Sequence, residues 1–316
     1  MSGRRPVDVV LVTGVPRSGT TVVGDVLAEA RGARYLYEPL NRWVGMRDVD
    51  HDFPVPGTSS FPASRTAEVV RRIERIDLDL KPGVFPHDVG WRRVAKRVSG
   101  SRTTMSYRLC RVDLRLRTVV WKDPFAIYLA GGAAALGLPV IVTVRNPWAV
   151  AASFKRLSWG FDVVDVHRRL TEAGRAPSLD LSGLDDPSDP VTNAAAHWSM
   201  AHEQLLADQD AGREIRLVDL DAIVERPIET YEALYRQAGL QWTDAVAARV
   251  TERYASDGSA RNGDRPAEGR AHDWRGRDVS QVNRYWQGLL TDAEAERVQA
   301  VVGPLWDATR DRAGRT

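Results

Sequence analysis

Residues Gly14-Val-Pro-Arg-Ser-Gly-Thr-Thr21 carry the most specific chemical signal in this chain. They follow a β-branched, mostly apolar run at 7–13 and precede helical spacing at 20–31, where Val22, Val23, Val26, Leu27 and Ala30 share a face. A strand feeding a glycine-bounded loop and then a helix N-terminus aims backbone N–H groups and the positive end of the helix dipole at one spot. Glycine lets the backbone close around a phosphate, and Arg17, Ser18, Thr20 and Thr21 add donors. The spacing imitates a Walker A loop, but Thr20 stands where that loop carries lysine. With no clear acidic magnesium ligand either, nucleotide hydrolysis fits poorly. A P-loop nucleotide kinase or other phosphotransferase is the competing reading, and a non-catalytic binder the third.

The elements that must position this loop can be read from periodicity. Strand candidates lie at 7–13, 34–37, 118–122, 140–144 and 214–218, and helices at 20–31, 193–208, 228–238, 245–254 and 291–310. Pro147 opens a further helix in its first turn. Strands alternating with helices predict an α/β fold, a central parallel sheet flanked by helices. The uncharged stretch at 126–144 is nominally long enough to span a bilayer. Gly131, Gly132, Gly137, Pro139 and the β-branched run at 140–144 make it instead a core helix, a turn and a buried strand. The expected organisation is a single domain over 1–316 with inserted loops near 45–65, 173–190 and 256–281, each a lid, a binding segment or a disordered insert.

At these residues the chain resembles the sulfotransferases that use 3′-phosphoadenosine 5′-phosphosulfate (PAPS), in motif style the bacterial, carbohydrate and tyrosylprotein members. Val15-Pro-Arg-Ser-Gly-Thr-Thr21 is similar to their 5′-phosphosulfate loop, which implies contacts from Pro16, Arg17, Ser18, Gly19, Thr20 and Thr21. Val140-Ile-Val-Thr-Val-Arg-Asn-Pro-Trp-Ala-Val-Ala-Ala-Ser153 resembles their 3′-phosphate strand, loop and helix, with Arg145 and Ser153 at the family's spacing. An arginine at a strand end can fork onto a phosphate. The segment from Glu214 resembles the family's late strand and the Pro-initiated helix after it. It departs from the usual pattern at Asp219, where an aromatic residue followed by Glu is common. The segment from Trp286 resembles the C-terminal tryptophan and closing helix. Loops 45–65 and 173–190 are unmatched.

The resemblance implies a P-loop-like nucleotide-binding fold, PAPS as sulfuryl donor, no metal requirement and in-line transfer to a hydroxyl. Such a transfer needs a base for the acceptor proton and cations for the developing charge. Glu38, in Tyr37-Glu-Pro-Leu40, is the candidate base. Lys122, in Trp121-Lys-Asp-Pro-Phe125, ends a strand where open α/β sheets place ligands, and is the candidate supporting cation beside Arg17. A plainer role for Lys122 is a surface pair with Asp123. For the 3′-phosphate and adenine, Arg261, Arg275, Arg277 and Ser280 compete, with Arg277 and Ser280 taken forward. His197 and Trp198 read as packing residues. Trp43, Trp91, Trp159, Phe53 and Phe61 are either an aromatic acceptor cleft or core. The partner class is a small-molecule or carbohydrate acceptor, drawn from carbohydrates, glycolipids and natural products.

Composition sets the outer bounds. The 316 residues are 43% hydrophobic and 27% charged, which is globular. Lys+Arg 44 against Asp+Glu 42 leaves +2, so no bulk attraction to nucleic acid or anionic lipid follows, and any basic site must be local. The single cysteine, Cys110, excludes an intrachain disulfide framework and fits a reducing cytoplasm. The short apolar run near the N-terminus lacks the length and cleavage pattern of a signal peptide, and no membrane span is expected.

Overall fold

The computed structural model describes residues 5–83, 100–184, 186–255 and 285–314. Its centre is a five-stranded parallel sheet: β1 (Asp8–Thr13), β2 (Ala33–Tyr37), β3 (Thr118–Lys122), β4 (Val140–Val144) and β5 (Ile215–Asp219), in spatial order β2-β3-β1-β4-β5. The expected strands are therefore neighbours, and the short 34–37 strand forms the edge. Register pairs Tyr37 and Val12 with Lys122, Thr13 with Val142, and Val144 with Asp219. Chain progression reverses beside β1: β2 and β3 lie to one side of it, β4 and β5 to the other. In open α/β sheets ligands bind outside the carboxyl ends at such a reversal.

Because successive side chains point to opposite faces, the sheet feeds two cores. Val9, Leu11, Val119, Trp121, Val140 and Val142 pack on one face; Val10, Val12, Val120 and Ile141 pack on the other. The first face is covered by α2 (Arg65–Glu74), α5 (Pro147–Leu157), α7 (Pro190–Asp210) and α11 (Asp292–Gly314), through residues such as Val69, Phe154, Trp198 and Val302. The second is covered by α1 (Thr20–Leu27), α9 (Pro227–Gln237) and α10 (Asp244–Tyr254), through Val26, Leu234 and Val250. The uncharged stretch resolves into a 3-10 turn at Pro124–Leu129, the short helix α4 (Ala130–Ala135) and β4. Among the described residues no helix is long and apolar enough to cross a membrane.

The 45–65 segment departs from a lid. Met46 bridges Leu80 in antiparallel fashion, and Lys81 Nζ donates to the carbonyls of Arg42, at 2.7 Å, and Val49. Val49, Phe53, Val55 and Phe61 are buried, so Phe53 and Phe61 are core. Their spacing has no period, which is why they read as loop, yet their apolar area is enough to seat the segment. At 173–190, Arg175 pairs with Asp208 at 3.0 Å and ties the loop's start to α7. Four described helices had no expectation attached: α2, α3 (Arg102–Val112), α6 (Val163–Glu172) and α8 (Leu220–Glu225). The 256–281 loop, with Arg261, Arg275, Arg277 and Ser280, lies outside the described residues, as does Trp91.

Candidate active site

The phosphate-type loop leaves β1 at Thr13 and enters α1 at Thr20. Gly14 has φ 151° and Gly19, the N-cap, has φ 95° with no side-chain cap, so the helix end is left to a ligand or to water. A Cβ on Gly14 would stand 2.6 Å from the Thr143 carbonyl oxygen. Only glycine lets the loop lie this close to β4. Arg17, at the loop's crown, is itself left-handed (φ 75°), an uncommon state for a side-chain-bearing residue. Ser18 is buried and its hydroxyl meets Thr143 Oγ1 at 2.7 Å, so it braces the loop against β4. Pro16 and Thr20 are buried and Thr21 is half-buried at the start of α1.

From the other side of the reversal, Arg145 follows β4 directly and is buried. Its Nη1 donates to the Arg17 carbonyl at 2.9 Å, and Arg17 Nε donates to Ser153 Oγ on α5 at 3.0 Å. The two predicted phosphate motifs, more than a hundred residues apart, thus interlock. Asn146 caps α5 by accepting from Trp148 N and Ala149 N, and Pro147 occupies its first turn. Behind Arg145, Trp198 Nε1 donates to its carbonyl at 3.2 Å, and His202 stacks on Trp198 at 3.7 Å between ring centroids. Trp198 thus packs and also fixes Arg145.

Glu38 and Lys122 meet at the neighbouring strand ends. Lys122 Nζ donates to Glu38 Oε1 at 2.6 Å, with both side chains largely removed from solvent. Glu38 has φ 44°, and its N–H is held by the Lys122 carbonyl at 2.9 Å, so backbone and side chain both tie it to β3. Asn41 Nδ2 reaches Glu38 Oε2 at 3.3 Å, and the Tyr37 ring lies 4.5 Å from Lys122 Nζ. Lys122 therefore pairs with Glu38, and the plainer pairing with Asp123 gives way. Asp123 is fully buried and turned elsewhere. It accepts from Leu40 N at 2.7 Å and Phe125 N at 3.0 Å, and its carbonyl accepts from Thr13 Oγ1 at 2.8 Å. It thereby ties the Glu38 turn, the turn after Lys122 and the end of β1 into one edge. Burial, then the nearby Glu38 charge, pushes its carboxyl up to about 7. Its signal in sequence was only the Asp-Pro that opens a helical turn.

Asp219, the departure from the family pattern, caps the short helix α8 (Leu220–Glu225) by accepting from Asp221 N at 2.9 Å. Burial raises its carboxyl to about 6. His197 and His202 are buried in α7, and burial lowers them to about 3 and about 4. They are packing residues. Trp43 and Trp159 remain exposed beside the site: Trp43 N–H donates to Asn41 Oδ1 at 3.0 Å, and the Arg17 guanidinium lies 5.8 Å from the Trp159 ring centroid.

The carboxyl edge of a parallel α/β sheet thus gathers a glycine loop, two arginines and a buried Lys–Glu pair. The Sulfotransferase family model matches residues 9–244, and the chain belongs to that family. It is 26% identical over 250 residues to nodulation protein NoeE of Sinorhizobium fredii, covering 76% of this chain and 52% of NoeE, so it spans about half that relative's length. Among solved structures, the sulfotransferase domain of the Synechococcus PCC 7002 olefin synthase is 15% identical, with 95% of this chain and 96% of that one covered and a TM-score of 0.43. Sulfotransferase STF9 from Mycobacterium avium is also 15% identical, with 98% and 77% covered and a TM-score of 0.43.

Proposed function

We propose that this enzyme, a single domain working in the cytoplasm, moves a sulfuryl group from PAPS to a hydroxyl of a carbohydrate, glycolipid or natural-product acceptor. The observation that carries the reading is the interlock of Arg17, Arg145 and Ser153 one strand away from the Glu38–Lys122 pair. The donor set fits such a nucleotide: an uncapped helix N-terminus and two guanidiniums suit phosphate oxygens. PAPS would supply an activated sulfuryl group whose leaving group is a 3′,5′-bisphosphate nucleotide. Loop residues 16–21 would hold the 5′ end, and Arg145 and Ser153 the 3′-phosphate, joined by Arg277 and Ser280.

Glu38 would accept the acceptor's hydroxyl proton at a carboxylate oxygen. Lys122, released from full engagement with Glu38, would turn its ammonium toward the charge developing on the departing oxygen, with Arg17 on the loop side. Asp123 would keep the two side chains in register through Leu40 N and Phe125 N.

The test is titration of the 3′,5′-bisphosphate nucleotide by calorimetry, followed by a labelled-PAPS screen against glycolipid, glycopeptide and phenolic acceptors. Arg17→Ala and Arg145→Ala should each weaken nucleotide binding by about 1.5–3 kcal/mol, the scale of a charge-assisted contact. Unchanged affinity in both would remove the assigned site.

A further inference from the structure

Helix α3 is amphipathic the wrong way round for a helix lying on a sheet edge. At about 100° per residue, Thr103, Ser106, Tyr107 and Cys110 share one face, and all four are buried. That inward face is polar because it works on the backbone. Ser106 Oγ accepts from Tyr37 N at 3.0 Å, and Tyr107 OH donates to the Ile76 carbonyl and accepts from Leu78 N, at 3.0 and 3.1 Å. The opposite face carries Met105, Leu109 and Val112 within roughly 60° of arc. These three, with Leu114 just beyond the helix, are 53%, 57%, 71% and 94% exposed. They are four of the nine exposed large hydrophobic side chains among the described residues, gathered on ten consecutive positions.

Arginines border this apolar stripe. Arg102 and Arg108 flank it on the helix, and Arg111, Arg115 and Arg117 follow, all exposed. Asp113 is the one acidic residue from 102 to 117, and it pairs with Arg34. The near-neutral chain thus concentrates positive charge here, beside apolar side chains. An apolar stripe between arginines is the pattern of a helix lying in the headgroup layer, its aliphatic side chains in the acyl boundary and its guanidiniums on anionic lipid. A second copy of the chain fits worse, because a two-fold interface on this patch would set arginines against the same arginines. Nucleic acid would answer the charge but leave Leu109, Val112 and Leu114 in water.

We propose that the outward face of α3 docks on an anionic lipid surface. The charge supplies the first attraction, and burial of the four apolar side chains supplies the hold. Because the same helix binds Tyr37 through Ser106, docking bears on the strand that ends at Tyr37, directly before Glu38.

The full chain should co-sediment with vesicles of phosphatidylcholine plus phosphatidylglycerol and stay in the supernatant with phosphatidylcholine alone, with binding falling as salt rises. Leu109→Glu and Leu114→Glu change exposed positions, so both should keep the wild-type Tm while the vesicle partition coefficient falls roughly tenfold or more. Equal binding to both vesicle types, no binding to either, or unchanged binding by both variants would overturn the proposal. A concentration-dependent dimer in the absence of lipid that Leu109→Glu dissolves would also overturn it, by giving the face to a second copy.

Discussion

Lys122 and Glu38 hold each other, and that contact shapes what substitutions there should do. The ammonium is neutralised by the carboxylate at 2.6 Å in a nearly dry setting, so in the proposed roles both groups are held in reserve for substrates. Glu38→Gln keeps size and a hydrogen-bond acceptor for Lys122 but cannot take a proton at neutral pH. Turnover should then fall by roughly 10²–10⁴ while the bisphosphate nucleotide still binds. Lys122→Ala should lower kcat more than nucleotide affinity, because in the proposed role its charge is needed mainly as the leaving oxygen charges up. Steady-state kinetics with a competent acceptor, paired with calorimetry, check both. Near-normal kcat for Glu38→Gln would move the base to another carboxylate or a histidine. The motif strings in the sequence were enough to single out both residues as candidates, and the structure brings the two into contact. Their contact spans 84 positions, and no local pattern encodes a partner so far away. Lys122 beside Asp123 in sequence suggested the wrong acid for that reason: adjacent strand residues point to opposite faces.

At the scale of elements, the glycine-bounded loop between β1 and α1 was legible because strand, glycine and helix signals coincide within a few residues. What holds it was not. Ser18, expected as a ligand donor, also braces Thr143 with its hydroxyl, and Gly14 is required by the Thr143 carbonyl that its Cβ would strike. Gly14→Ala should cost about 1–3 kcal/mol by overpacking and also weaken nucleotide binding, since the loop must shift away from β4. Urea unfolding and calorimetry on the same variant check the pair of effects; wild-type stability would show that the loop yields freely. The five strands and the longer helices followed from period and breakers. Helices α2, α3, α6 and α8 did not. In α3 the buried positions are polar or small and the exposed ones aliphatic, so periodicity alone gives no sign of the sheet it covers. The buried 45–65 segment failed for a related reason: its apolar residues pack without any repeat.

Across the whole molecule, three buried ionisable groups and the half-buried Asp219 pull the pH dependence of stability in opposite directions. His197 lies among Phe53, Tyr128 and Phe161 with neither ring nitrogen hydrogen-bonded, and burial lowers it to about 3; His202 is lowered to about 4. Both stay neutral when folded and take a proton on unfolding below about 6.5, so each subtracts stability as pH falls through that value. Asp123 and Asp219, raised to about 7 and about 6, do the reverse. Folded, they keep a proton that the unfolded chain has released above about 4, so each subtracts stability as pH rises from there toward its folded value. Around pH 5 all four subtract stability but their pH slopes nearly cancel, and single substitutions should expose them. Relative to wild type, His197→Leu should gain stability between pH 6 and pH 4, and Asp123→Asn should lose it. Each divergence should approach about 1 kcal/mol per pH unit. Urea unfolding at pH 4, 5 and 6 for the three proteins measures this directly. Parallel curves would mean that the imidazole and the carboxyl titrate alike in folded and unfolded chains, and that water reaches both.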